Sequence, residues 1–347
     1  MKKIIIAVIL VVLCSGCQSN SDKQVLRIYN WGEYIGEDVI SNFESAYNCK
    51  VQYDIFPSNE EMYTKLKSGE TWDILVPSDY MIERLMQEKY LQKLDKTKIT
   101  NLDKLADGVK NLPYDPNNDY SVPYFWGSVG IIYNSDTVSK SDVEQQGYNV
   151  LKNPKYKGKM FIYDSERDSF MMAFKALGYS MNTTNSEEVE AAYNWLKELN
   201  DNNEPTYVTD EVIDGMVSNQ KDIGIVYSGD AAYILSENSS MRYFLPNEGT
   251  NLWSDSMVIP NNAKNPELAN DFINFILDYE SSYDNSLTVG YASTNQEVLD
   301  DMVNEGGDFN GNPAYLPRSN YAKDEVFAYD EEMKKELANL WIRVKSS

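Results

Sequence analysis

Short apolar runs take turns with stretches of helical spacing along nearly the whole chain, and no other feature narrows the fold so far. Residues 25–31 read as a strand ending in Asn30 and Trp31. Val39, Ile40, Phe43, Ala46 and Tyr47 then recur at helical spacing. Val51, Tyr53 and Ile55 alternate as a strand does. Ser58 with Glu61 makes a capping box ahead of Met62 and Leu66, and Gly69 stops that helix. Residues 72–76, 129–133, 159–163, 223–227 and 257–259 read as further strands. Met81, Leu85 and Met86 mark one helix; Ala191, Ala192, Trp195, Leu196 and Leu199 share a face of another. Pro266 opens a third, which carries Phe272, Ile273, Phe275 and Ile276. Strands alternating with helices imply an α/β chain. Its 347 residues exceed what one core usually serves, so two domains are expected. With no repeat, low-complexity tract or long linker, the crossings between them should be short and ordered.

The first segment reads as an address. Lys2 and Lys3 precede an apolar run over residues 4–13, followed by Cys14, Ser15, Gly16 and Cys17. That run is shorter than the about 20 residues a membrane span needs. A basic start, a short apolar stretch and small residues before a cut describe a secretory signal, here residues 1–16. Ser15-Gly16-Cys17 resembles a bacterial lipobox, with Cys17 as the lipidated residue and residues 17–23 as a polar tether. Cys14 departs from it, standing where an aliphatic or small residue is usual. Ordinary secretion with loss of both cysteines is the alternative. A lipid-bearing Cys17 would hold the protein outside the cytoplasm, on the cell membrane. Past it only Cys49 remains, so the mature chain has no intramolecular disulfide.

Charge narrows the partners. Lys and Arg number 31 against 54 Asp and Glu, a net charge of -23, and there is no histidine. That excludes Ser-His-Asp catalysis and His-ligated metal. Nucleic acid and anionic lipid surfaces would repel such a chain, whereas a cation would be drawn to it. In open α/β sheets ligands gather beyond the carboxyl ends of strands. Those ends hold Trp31, Gly32, Glu33 and Tyr34; Ser78, Asp79 and Tyr80; Asp164 to Asp168; and Ser228, Gly229 and Asp230. Trp253, Ser254 and Asp255 stand ahead of another strand, and Tyr291 follows Gly290 in a loop. The set is aromatic and acidic. Carboxylates accept hydrogen bonds from ammonium groups, each worth about 1.5–3 kcal/mol. Ring faces hold cations and the methylenes between them, at about 0.5–2 kcal/mol per cation. Spaced acids with rings between them would measure a chain bearing amines at intervals. Singly, each residue also has an ordinary reading: a core or rim ring, a solvated acid, or, for Asp230 and Asp79, a helix N-cap.

Other classes fit less well. Glu33 and Asp255 could serve as paired acids for glycoside hydrolysis, but no other hydrolytic motif accompanies them. Asp115, Asn117 and Asp119 mimic the start of an EF-hand, yet Tyr120 and Trp126 stand where the loop needs Gly and Glu.

Several runs together resemble the spermidine/putrescine-binding proteins of bacterial ABC transporters. They are Tyr29-Asn30-Trp31-Gly32-Glu33-Tyr34, Val76-Pro77-Ser78-Asp79-Tyr80, the stretch from Pro116 to Gly127, Trp253-Ser254-Asp255-Ser256, and Gly290-Tyr291. The resemblance covers nearly all of the mature chain. It implies a periplasmic-binding-protein fold of two α/β lobes with a ligand cleft and two hinge crossings. Lobe 1 would comprise residues 24–128 and 255–298, and lobe 2 residues 129–254 and 299–347. It implies an aromatic box of Trp31, Tyr34, Tyr227, Trp253 and Tyr291. Asp255, Asp168 and Glu33 would take amino groups, and Ser78 and Tyr80 would add hydrogen bonds. Arg167 would orient neighbouring acids and Trp126 would pack at the crossing. The partners implied are a polyamine and a membrane permease, with the protein monomeric and without cofactor, metal or catalysis. Gly32 departs from a common hydroxyl residue and Tyr227 from a frequent Trp; Ser165 stands where some members carry a second acid. The Glu325–Phe327 region offers a further polar contact in some members. The same fold could instead hold another organic cation, such as a quaternary ammonium compound.

Overall fold

The structure, a computed structural model, describes residues 23–346 apart from residue 319. The signal segment, Cys14, Cys17 and the tether up to residue 22 lie outside the described residues. The first elements are β1 (Val25–Asn30), α1 (Val39–Tyr47), β2 (Lys50–Ile55), α2 (Asn59–Lys67), β3 (Ile74–Leu75) and α3 (Asp79–Gln87). Ser58 caps α2, its Oγ accepting the Glu61 N–H at 3.2 Å. Then come β4 (Ser121–Asn134), α4 (Lys140–Gln146), β5 (Met160–Tyr163), α5 (Glu166–Leu177), α6 (Ser186–Asn203) and β6 (Thr206–Val208). They are followed by α7 (Glu211–Val217), β7 (Ile223–Tyr227), α8 (Ser228–Glu237), β8 (Met241–Phe244) and β9 (Leu252–Val258). The chain closes with α9 (Pro266–Ile276), α10 (Tyr279–Val289), β10 (Ala292–Ser293), α11 (Gln296–Val303) and α12 (Glu331–Lys345).

β4 belongs to two sheets. Its first half, Ser121 to Ser128, pairs antiparallel with β9, and β10 pairs with it at Phe125 and Trp126. β9 joins β3, which lies parallel to β1, which lies parallel to β2. Its second half, from Val129, pairs with β7 on one side and β8 on the other. β5 and β6 extend that second sheet in parallel. Two mixed sheets with helices on their faces make the two lobes. The sequence reading saw only residues 129–133 of this strand. Pro123 and Gly127 break the pattern upstream, and β4 is buried throughout, so no alternation marks it.

The second sheet shows why its strands read as unbroken apolar runs. Ile131 and Ile225 pack into the larger core, whereas Ile132 and Val226, one residue on, pack into a smaller one. Phe170, Trp195 and Leu199 from α5 and α6 join the first, and Val212, Met216 and Ile234 from α7 and α8 join the second. In the other lobe Phe43 of α1 meets Phe272 and Phe275 of α9, at 4.9 and 5.4 Å between ring centres. The EF-hand mimic is a staple: Asp115 Oδ2 accepts from Tyr120 N, Ser121 N and Ser121 Oγ, at 2.8–2.9 Å.

Candidate functional site: an aromatic and acidic cleft between the sheets

Residues that follow β1, β3 and β7 gather beside the stretch where β4 and β9 pair antiparallel. Asn30 ends β1 and shapes the next turn. Its Oδ1 accepts the Trp31 N–H at 2.8 Å, and its Nδ2 donates to the Tyr34 carbonyl at 3.3 Å. The Tyr124 hydroxyl donates to that carbonyl at 2.6 Å. Glu33, at a left-handed φ of 51°, reverses the loop. Tyr34 is thereby turned inward, and its hydroxyl donates to Asp255 Oδ2 at 2.9 Å. Trp253 and Asp255 are two residues apart on β9 and so share a face. Ser78 bridges Asp255 through the backbone and also donates a side-chain hydrogen bond to it. Asn59 Nδ2 reaches the hydroxyl oxygens of Ser78 and Tyr80, each at 3.0 Å.

Five rings form one connected set. Tyr34 stands 6.0 Å from Tyr291, Tyr291 5.0 Å from Trp253, Trp253 6.1 Å from Tyr227, and Tyr227 4.8 Å from Tyr163. Most meet edge to face, which suits ring quadrupoles. Their hydroxyls hold the acids. Tyr227 donates to Asp168 Oδ2 at 2.8 Å, Tyr163 to Asp230 Oδ2 at 2.9 Å, and Tyr291 to Asp230 Oδ1 at 3.3 Å. Asp168 is 4% exposed, and its Oδ1 has no hydrogen-bond partner.

Burial sets the electrostatics. Loss of water pushes Asp255 up to about 6, against hydrogen bonds from Ser78 and Tyr34 that favour its charge. It pushes Asp230 up to about 6, against Tyr163 and Tyr291. Asp168 is raised for the same reason. Asp79, 1% exposed, is raised to about 8, chiefly by burial and with Asp255 adding repulsion. Four desolvated carboxyls around one ring cluster form a place where a positive charge is wanted.

The sequence-derived residues fall into groups. Tyr34, Tyr227, Trp253, Tyr291, Asp168 and Asp255 come together. Trp31 packs beside them on Phe56, at 4.6 Å, and donates its Nε1–H to the Val76 carbonyl at 2.9 Å. Glu33 is exposed and lines a cavity of about 530 Å³ with Ile35, Ile213, Asp230, Tyr233 and Val289. Tyr80 lies under the Arg167 guanidinium, 3.4 Å from ring centre to Cζ. Arg167 also stands 3.9 Å from Glu60, which Lys334 of α12 pairs with too. Trp126 is buried and donates to the Ser293 carbonyl at 3.0 Å.

Two acids differ from their reading as caps. Ser78 and Tyr227 occupy the N-cap positions of α3 and α8, so Asp79 and Asp230 fall within the first turns. Both belong to the acidic set at the strand ends, though not to the residues that the resemblance singles out. The signal was their place after strands, which the cap reading absorbed. Asp164 turns to α12, accepting from Trp341 Nε1 at 3.0 Å and pairing with Lys345, while Ser165 caps α5. Glu325 is held by Lys175, by Ser180 Oγ and by Met181 N.

A profile of bacterial extracellular solute-binding proteins matches residues 38–316. The chain belongs to that family. It is 38% identical over 276 residues to the spermidine/putrescine-binding periplasmic protein of Escherichia coli K12, covering 79% of this chain and 78% of that one. It is 26% identical over 347 residues to the E. coli putrescine-binding periplasmic protein, covering 94% and 92%. Among solved structures, the spermidine/putrescine ABC transporter substrate-binding protein of Streptococcus pneumoniae superposes with a TM-score of 0.82 at 34% identity, covering 93% and 99%. The family consists of transport proteins that bind solutes outside the cytoplasm, not of enzymes. Among the described residues no helix is long and apolar enough to cross a membrane.

Proposed function

We propose that this family member captures a polyamine, spermidine or putrescine, in the ring-lined cleft and delivers it to the permease of an ABC importer. The observation that carries the reading is Asp168, a buried carboxylate with one oxygen left without a donor. Buried polar atoms are rarely left so, and an ammonium N–H supplies what is missing. A quaternary ammonium compound has no N–H to give, so the spaced acids favour primary and secondary amines. The ligand set on this reading is Trp31, Glu33, Tyr34, Ser78, Tyr80, Asp168, Tyr227, Trp253, Asp255 and Tyr291.

On the same reading the lobes divide as the sequence suggests, with the second lobe-1 segment carried to the end of α11, since one helix is not split. The protein acts as a monomer, anchored outside the cytoplasm by a lipid on Cys17. Calorimetric titration of the chain from Gln18 with putrescine, cadaverine, spermidine and spermine, and with glycine betaine as control, tests the cargo. Micromolar or tighter binding of one or two polyamines is expected. Silence to all of them from folded, ligand-free protein would sink the reading.

Tyr291, ahead of β10, packs on Gly229 of α8, where a Cβ would lie 2.3 Å from the ring. Gly229→Ala should therefore weaken polyamine binding about tenfold, the effect of about 1–3 kcal/mol of overpacking. Its circular dichroism should match the parent. An unchanged Kd would show that these two surfaces need not meet in the bound state.

A further inference from the structure

We infer that residues 329–334, the start of α12 and the turn before it, form an ionic clasp between the helices of the two sheets, and that this clasp sets how slowly a bound solute leaves the cleft. The clasp rests on the two-lobed frame rather than on the cargo.

Both ends of this stretch are held on the side of the second sheet. Ahead of it, Asn182, between α5 and α6, donates to the Val326 carbonyl at 2.8 Å and accepts the Ala328 N–H at 2.9 Å. Beyond it, Trp341 of α12 meets Tyr207 of β6 edge to face, 4.9 Å between ring centres. Arg343 lies over Tyr193 of α6, 4.7 Å from Cζ to the ring centre. The middle reaches the other way, to α2 and α3, which flank β3 in the first sheet. Tyr329, one residue past Ala328, donates its N–H to Glu83 of α3 at 2.7 Å. Arg84 of α3 stands 3.6 Å from Glu331, and its guanidinium lies over the rings of Tyr63 and Tyr329, at 3.9 and 5.3 Å. Lys334 pairs with Glu60 of α2, which Arg167 of α5 approaches at 3.9 Å.

The clasp backs directly onto the cleft. Arg167 lies over Tyr80, and Tyr80 shares Asn59 with Ser78. Drawing the two sheets apart would break the Glu331 and Lys334 pairs. Burial works to raise Glu60, but Lys334 and then Arg167 hold it below its ordinary range, so it is charged at neutral pH. The Lys334 side chain is 20% exposed and that of Glu331 36%. Partly exposed pairs are weak enough to open and are screened by salt. They also act only at short range, so they form late in the approach of the sheets and slow departure more than arrival.

Glu331→Gln combined with Lys334→Gln removes both pairs from the tail side and touches no ring or acid of the cleft. Followed by tryptophan fluorescence in stopped flow, spermidine release should quicken about fivefold while association changes by less than about twofold. Lys345→Gln is the control, because its partner Asp164 follows β5 on the same side as α12 itself. Release from that variant should match the parent. Added salt should quicken release from the parent more than from the double variant. An unchanged release rate in the double variant, an equal rise in Lys345→Gln, or a loss confined to association would overturn the inference. A parent that binds no polyamine would bring down the cargo reading alone. The clasp is then read from hydrogen exchange at the Tyr329 amide. Slow exchange in the parent that quickens in the double variant, and not in Lys345→Gln, supports it. Fast exchange in the parent, or slow exchange in all three, overturns it.

Discussion

Asp255→Asn should lose at least about a hundredfold of its polyamine affinity while the ligand-free protein stays as stable as the parent. The asymmetry follows from what surrounds the carboxylate. Asp255 is 8% exposed, accepts from Tyr34 and Ser78, and among the described residues forms no ion pair with Lys or Arg. The amide carbonyl still accepts those hydroxyls, whereas alanine would orphan the buried Tyr34 hydroxyl. The free protein therefore loses little and is relieved of a charge that burial disfavours. The bound protein loses the partner of an ammonium inside a desolvated cleft. Removing one member of such a pair costs about 3–5 kcal/mol. That is about two to nearly four orders of magnitude in Kd. Calorimetry reads the affinity and a thermal melt reads the stability. Normal binding by Asp255→Asn would show that the cargo amine lies elsewhere. A melt several degrees lower would show that the carboxylate serves the fold.

Much of this architecture was legible because each layer leaves its own trace. Ser58 with Glu61 announces α2, and Pro266 announces α9. The apolar strands of the second sheet show no alternation because Ile131 and Ile132 enter two different cores. What was hidden has a physical reason in each case. β4 carries Pro123 and Gly127 where it passes from one sheet to the other, and that punctuation reads as loop. Asp79 and Asp230 look like caps because an acid after a strand usually is one. Only the fold shows that the cap positions are taken by Ser78 and Tyr227. Trp31 sits at the expected strand end, and its ring packs on Phe56, which no local pattern links to it. Glu325 illustrates the converse. It lies beyond where the motifs run, and its partner Lys175 stands 150 residues earlier in the chain.

Acid should close this protein without its cargo, and cargo should oppose acid. In the structure burial raises Asp255 and Asp230 to about 6 and Asp79 to about 8, with Asp168 raised as well. Solvated in an open or unfolded chain, the same groups titrate near about 4. The closed empty form therefore binds more protons than its alternatives between those limits. Its stability contribution from these acids is fully present below about 4 and is lost as pH rises through about 6 and then about 8. Lowering the pH from 8 to 5 should raise the thermal midpoint of ligand-free protein and shrink its radius of gyration in X-ray scattering. A polyamine reverses the sign, because its ammonium groups favour the charged acids. Its affinity should fall as pH drops through about 6, by at most about tenfold per pH unit for each acid involved. Calorimetry near pH 6 in buffers of different ionisation heat should register protons released on binding. A radius and midpoint that stay flat from pH 5 to 8, with no proton release, would mean that the cleft acids keep their charge when the lobes close empty. The biological consequence lies in the neutral range. There, closing on nothing buries several unpaired charges, whereas closing on a polyamine buries paired ones. The same desolvation that gives the cleft its appetite for cations thus keeps the lobes apart until the cation arrives.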